Sequence, residues 1–184
     1  MADRVCPWWI GYLLASPIRK FFENPRKIIG DYVKPGMAVL DVGCAMGYFS
    51  LRAARAVEPE GKVFAIDLQP RMINSLKRRA KRKGLSDRID ARVCGVNSLG
   101  IDDLHEKIDF ALVIHVLHEV PDPARLMAEI FASLKPNARM LILEPKGHVS
   151  EEGFEETGAA AEKAGFKFIK SPTARRSRSA LFAR

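Results

Sequence analysis

From residue 34 onward the chain alternates between short, almost wholly apolar runs and longer stretches patterned at helical spacing. Met37–Val42 is apolar except for Asp41 and stops at a glycine turn, which predicts a buried strand. Gly47–Ala56 predicts a helix and Lys62–Asp67 a second strand. Pro70–Lys83 predicts a helix opened by proline and closed near Gly84. Arg88–Cys94 predicts a third strand, buried like the others, and Ile108–His115 a fourth, wholly apolar from Phe110 to Ile114. Pro123–Leu134 predicts a helix ended by Lys135-Pro136-Asn137, Ala138–Leu143 a fifth strand, and Glu151–Ala164 a helix closed by Gly165. Phe166–Lys170 and Ser179–Phe182 predict a terminal hairpin. Near-continuous apolar strands separated by helices predict an α/β three-layer sandwich, a mostly parallel sheet with helices on both faces.

Residues 1–34 follow a different pattern. Cys6–Leu14 holds both tryptophans, Trp8 and Trp9, together with Tyr12. Ser16-Pro17 and Asn24-Pro25 each read as an N-cap followed by proline at the first helical position. Aromatic and aliphatic residues beside Arg19, Lys20, Arg26 and Lys27 make the segment amphipathic. The expectation is a short helical arm packed on a single domain at 35–184, with a lid role. Weak contact with a membrane surface is the competing use of such an arm.

Composition narrows the classes. At 184 residues, 47% hydrophobic and 28% charged, the chain suits one globular domain and excludes wholesale disorder. No apolar run approaches the ~20 residues of a membrane span, and no signal peptide is evident. Three scattered cysteines, Cys6, Cys44 and Cys94, argue against a disulfide framework and for a reducing cytoplasm. The net charge of +8 is concentrated in Lys77-Arg78-Arg79-Ala80-Lys81-Arg82-Lys83 and Arg175-Arg176-Ser177-Arg178. A solvated helix end and hairpin account for both clusters, the first favoured by the helix dipole. Nucleic-acid binding is the sharper alternative, and the lack of interleaved aromatics counts against it.

Candidate chemistry centres on the first strand-to-helix turn, Asp41-Val42-Gly43-Cys44-Ala45-Met46-Gly47-Tyr48. Ligands of such sheets bind beyond the carboxyl ends of the strands. Small residues at 43, 45 and 47 allow a tight bend and close approach. A dinucleotide site prefers G-x-G-x-x-G, and the third glycine is missing here. Asp41 at the strand end would repel a pyrophosphate but would receive an ammonium. S-adenosylmethionine carries an ammonium, a carboxylate and a sulfonium, and no phosphate. Asp67 ends the second strand, where a carboxylate can take two ribose hydroxyls. Gln69 and Met72 lie just beyond, placed to flank an adenine. In the competing reading Asp67 only begins the turn to the next helix.

These motifs resemble those of class I S-adenosylmethionine-dependent methyltransferases from about residue 34 to the C-terminus. Asp41–Gly47 resembles the family's first motif and Val63–Asp67 its second. Asp109–Pro123 and Leu134–Leu141 are similar to the later motifs, most of all in the small-molecule branch that includes ubiquinone/menaquinone-type C-methyltransferases. The resemblance implies a Rossmann-like seven-stranded sheet with an antiparallel last strand, and S-adenosylhomocysteine as product. It places Asp41, Gly43, Cys44, Ala45, Gly47, Tyr48, Asp67, Leu68, Gln69, Met72, Val96, Asn97 and His115 about the cofactor. Two positions depart from the pattern. Ala45 stands for the motif's middle glycine. Gly95-Val96-Asn97 stands for Gly-Asp-Ala, which moves a side-chain contact with the adenine to Asn97.

Methyl transfer needs alignment first, and a base only where the acceptor loses a proton. His118 is the candidate base or orienting group, and Tyr12 the candidate residue closing over the site. Structural roles are the alternative for both. His115-x-x-His118-Glu119 matches no zinc-hydrolase spacing. Cys44 and Cys94 are expected to be inert. Lys146 and His148, after the fifth strand, are candidates to greet an anionic substrate, the alternative being that Pro145 and Gly147 simply make a turn with these side chains solvated. The expected function is methyl transfer to a small, partly hydrophobic acceptor, by a monomer or homodimer. An RNA or protein methyltransferase and a non-catalytic S-adenosylmethionine-binding protein are the alternatives.

Overall fold

The computed structural model describes residues 23–184. Trp8, Trp9, Tyr12 and Ser16-Pro17, on which the arm and lid expectations rest, lie outside the described residues. Asn24 does cap a helix, α1 (Pro25–Ile29), its side-chain oxygen accepting the Arg26 N–H at 3.0 Å. Then come β1 (Ala38–Val42), α2 (Ser50–Ala56), β2 (Lys62–Asp67), α3 (Pro70–Arg82) and β3 (Ile89–Val93). They are followed by β4 (Ile108–Ile114), α4 (Pro123–Ser133), β5 (Leu134–Pro145), α5 (Glu151–Lys163), β6 (Lys167–Lys170) and β7 (Ser177–Ala183). The seven strands run in the sheet order β3-β2-β1-β4-β5-β7-β6. β7 is antiparallel to both β5 and β6, the expected departure from an otherwise parallel set.

The chain divides into two compact units, Met1–Cys94 and Gly95–Arg184. In the first, β1 pairs with β2 and β2 with β3, all parallel and with continuous register. α3 turns Met72, Ile73, Leu76 and Ala80 inward, one face at helical spacing. Its outer face carries the exposed Lys77, Arg78, Lys81 and Arg82. In the second unit, Ile108 and Phe110–Ile114 of β4 are buried and pair with β5. The side chains of Asp122 and Ser150 cap α4 and α5, accepting the N–H groups of Arg125 and Gly153 at 3.0 Å each.

The elements differ from the sequence expectation in three places. α2 starts at Ser50 rather than Gly47, because Gly43, Ala45 and Gly47 have φ of 68°, 47° and 81° and no helix can include them. β5 starts directly at Leu134, and Lys135-Pro136-Asn137 forms an irregularity within it. The partners step from Ile108↔Leu134 to Phe110↔Arg139, so the proline bulges out of the ladder instead of ending it. β3 is not a buried strand but a sheet edge, with Val93 49% exposed and Cys94 half-buried, because it has a neighbour on one side only. Among the described residues no helix is long and apolar enough to cross a membrane.

Candidate functional site

In the first unit, chemistry collects where β1 and β2 end. The turn after β1 is tied to β2 by the Cys44 N–H, which donates to the Ile66 carbonyl at 3.0 Å. Asp67 completes the tie. Its Oδ2 accepts the Ala45 N–H and its Oδ1 the Gln69 N–H, both at 2.8 Å. Burial pushes its carboxyl above the ordinary value, against the opposing pull of these two donors. Asp67 is thus both the strand-end carboxylate foreseen for a ribose and a brace for the turn. Asp41 is buried and accepts the hydroxyl proton of Ser50, itself fully buried, at 2.5 Å.

Three more contacts fix the turn. Arg79 of α3 donates from Nη1 to the Met46 carbonyl at 2.5 Å, so one member of the basic cluster is turned inward. Gly47 lies so close to α3 that a Cβ there would overlap Leu76 Cδ1. The Tyr48 hydroxyl donates to the Glu23 carbonyl at 2.7 Å, joining the glycine turn to the segment that precedes α1. Ala45 does in the left-handed region what the motif's glycine would do. Cys44 is buried, and burial first, then Asp41 and Asp67, hold its thiol well above the usual range, so it is no nucleophile. Leu68 and Gln69 are half-buried, whereas Met72 is 2% exposed and faces the core.

The second unit brings together residues that are far apart in the sequence. β4 runs into His115, whose φ is 58° and whose N–H donates to the Leu143 carbonyl at 2.8 Å. Its Nε2 lies 3.0 Å from the Ser177 hydroxyl. A left-handed histidine at a strand end is the kind of held strain that gathers at functional sites. His118 Nδ1 is 2.5 Å from Glu144 Oε2. Glu144 is 0% exposed, and its other oxygen accepts the N–H groups of Val116 and Leu117 at 3.1 and 2.9 Å. His118 keeps 23% of its side chain exposed, and the ring of the exposed His148 meets it edge-on at 5.6 Å. The Glu144 hydrogen bond raises the His118 pKa, against the opposing effect of burial.

Val96 and Asn97 are exposed, and the Asn97 carbonyl accepts from Arg125 Nη1 at 3.1 Å. Lys146 is exposed also. Among the described residues no group of three or more His, Cys, Asp and Glu could hold a metal ion. The groups able to hold an organic cofactor in the first unit are Asp41, the 43–47 turn and Asp67. Reading the sequence singled out His115 and His118 but missed their partners Ser177 and Glu144. For Glu144 a signal existed, a carboxylate closing an apolar run, as Asp41 and Asp67 do.

The sequence model of a family described as a methyltransferase domain matches residues 33–170. A 2-phytyl-1,4-naphtoquinone methyltransferase of Trichormus variabilis is 32% identical over 111 residues, 60% of this chain and 48% of that protein. A demethylmenaquinone methyltransferase of Lactobacillus johnsonii is 26% identical over 140 residues, 74% of this chain and 54% of that protein. The chain thus spans about half the length of these curated relatives. Among solved structures, a SAM-dependent methyltransferase of Aquifex aeolicus superposes with a TM-score of 0.86 at 23% identity, covering 97% of this chain and 99% of that one, which shows the shared fold. The ordered strands, the glycine turn and the family match over most of the chain lead to one assignment: the chain belongs to the methyltransferase-domain family.

Proposed function

We propose that this protein transfers a methyl group from S-adenosylmethionine to a small, partly hydrophobic acceptor, releasing S-adenosylhomocysteine. The observation that carries the proposal is the left-handed 43–47 turn flanked by Asp41 and Asp67 at the ends of two adjacent parallel strands. S-adenosylmethionine supplies a methyl already activated on a sulfonium, so the chain's task is to bind and align. Each oxygen of Asp67 accepts one backbone N–H and has a lone pair left, enough for a ribose hydroxyl apiece. Asp41 meets the ammonium from within the fold, directly or through water. Gly43, Cys44, Ala45, Gly47 and Tyr48 offer backbone and edges to the methionine end. Leu68 and Gln69 flank the adenine, and Met72 backs them from the core.

Val96, Asn97 and His115 are assigned to the same ligand, and His118 to the acceptor. An arm at 1–34 with Tyr12 as its closing residue completes the reading. The bond from Tyr48 to Glu23 supports it, because it ties the arm's described end to the glycine turn. A naphthoquinol-type acceptor is suggested by the names of the two relatives. Calorimetry with S-adenosylmethionine, S-adenosylhomocysteine and NADH tests the cofactor. Micromolar binding of the first two without NADH is expected, and NADH binding alone would overturn the assignment. Binding of RNA that falls steeply with salt would move the acceptor to nucleic acid.

A further inference from the structure

Deepening the acceptor side of that reading, and resting on it, we propose that Glu144 is a positioning residue that fixes His118 as a general base with Nε2 as its proton-accepting atom. The geometry favours one arrangement of protons. Glu144 Oε1 accepts two backbone N–H groups, so this carboxyl acts as an acceptor. Its Oε2, 2.5 Å from His118 Nδ1, therefore receives an N–H from the ring. The proton of the neutral imidazole sits on Nδ1, and Nε2 carries the lone pair. This is the division of labour between an orienting carboxylate and a histidine base.

Rigidity argues for the same role. Glu144 is fully buried at the end of β5, and the backbone that holds it is the 116–117 segment just ahead of His118. Those bonds fix the carboxylate against the backbone that carries His118. Among the described residues, Glu119, Glu144 and His148 face His118. Glu119 Oε1 is 3.9 Å from Nε2, too far for a hydrogen bond, and the His148 ring stands edge-on at 5.6 Å. Arg178 of β7 stands opposite Glu144 in register. Nε2 makes no hydrogen bond among the described residues, and the side chain is 23% exposed.

A base of this kind has a use only if the acceptor loses a proton. Among such acceptors we take an O–H acid such as a hydroquinone, phenol or enol, the class the relatives' names point to. The O–H bond breaks, the proton bonds to Nε2, and the electron pair left on the acceptor is free to form the bond to the methyl carbon, whose bond to sulfur would break with its pair kept by sulfur. The imidazolium, paired with Glu144, returns the proton to water after the methylated product leaves. An amine that arrives already deprotonated would not need the pair.

The test uses the whole 184-residue chain labelled with 15N, without ligand, and reads the ring nitrogens of His118 against pH. Resonances are assigned with His118→Gln. The wild type is expected to show the Nδ1–H form when neutral and a midpoint above the ordinary ~6.5. Glu144→Gln keeps an oxygen for Val116 and Leu117 but presents an amide N–H to the ring. It is expected to switch the neutral form to Nε2–H and lower the midpoint. An Nε2–H wild-type ring would overturn the proposal. With S-adenosylmethionine and 1,4-naphthohydroquinone, Glu144→Gln is expected to lower kcat by about 100-fold and leave the cofactor KM unchanged. Wild-type kcat and pH profile in that variant would overturn it too. A wild type that shows the Nδ1–H form but ignores the hydroquinone removes the quinol acceptor and leaves the pair standing.

Discussion

Asp67 and Ala45, 22 residues apart in the chain, are joined by a 2.8 Å hydrogen bond from the Ala45 N–H to Asp67 Oδ2. The bond links the end of β2 to the turn after β1, so one carboxylate shapes the turn while each of its oxygens keeps a lone pair. Asp67→Ala therefore leaves the Ala45 and Gln69 N–H groups without their acceptor. We expect a loss of about 2 kcal/mol in urea unfolding. We also expect S-adenosylmethionine affinity to fall more than about tenfold by calorimetry. Unchanged affinity in the folded variant would contradict the ribose assignment.

Left-handed backbone at 45 and 47 gives opposite expectations for two small substitutions. Ala45 bears a Cβ at φ 47°, which costs about 1–2 kcal/mol. Ala45→Gly removes that strain and adds about 0.4–1 kcal/mol of unfolded-chain freedom. A net gain of up to about 1 kcal/mol is expected, with cofactor binding no weaker. Gly47→Ala adds both strain at φ 81° and an overlap with Leu76 Cδ1, so that the buried leucine must shift. A loss of about 3 kcal/mol is expected. Melting temperatures of the two variants check the pair, and a shift in the same direction for both would refute the argument.

The His118–Glu144 pair makes stability depend on pH. Its histidine pKa is raised, so the folded state holds this proton more tightly than the unfolded chain. The stabilisation is complete below the ordinary histidine value, ~6.5. It is lost as pH rises through the raised folded value. The stability gap between wild type and His118→Gln should be wider at about pH 6 than at about pH 9. Urea midpoints at both ends measure it, and a gap that widens with pH would mean the pair does not hold the proton.

Arg178 Nη1 is buried and has no hydrogen-bond partner among the described residues. An unsatisfied donor of this kind is a burden of about 1–3 kcal/mol. Arg178→Met keeps the length of the stem and removes the donor. Stability is expected to stay level or rise by about 1 kcal/mol. A clear fall in the urea midpoint would mean that the guanidinium is held by water.

The order of strands and helices was legible in the chain itself. Lys62–Asp67 forms a strand with the bounds its pattern predicts, and Pro70 and Pro123 open helices as expected. The turn and the strand-end carboxylates Asp41 and Asp67 were legible for the same reason, because each lies where an apolar run stops. Local rules misjudged Lys135-Pro136-Asn137, since proline ends a strand unless a neighbouring ladder tolerates a bulge. They also misjudged β3, because a short strand-like run reads alike at an edge or at the centre of a sheet.

What the sequence determined by itself is whatever depends on near neighbours: periodicity, caps, the glycine turn, and the family these motifs resemble. The tertiary structure decided which distant groups meet. Glu144 reaches His118 from 26 residues away and Ser177 reaches His115 from 62, through the pairing of β5 with β4 and β7. The burial of Glu144 is likewise a property of the packed sheet. A side chain's proton affinity depends on the solvent it loses and the partners it gains, and neither is fixed until the strands are laid side by side.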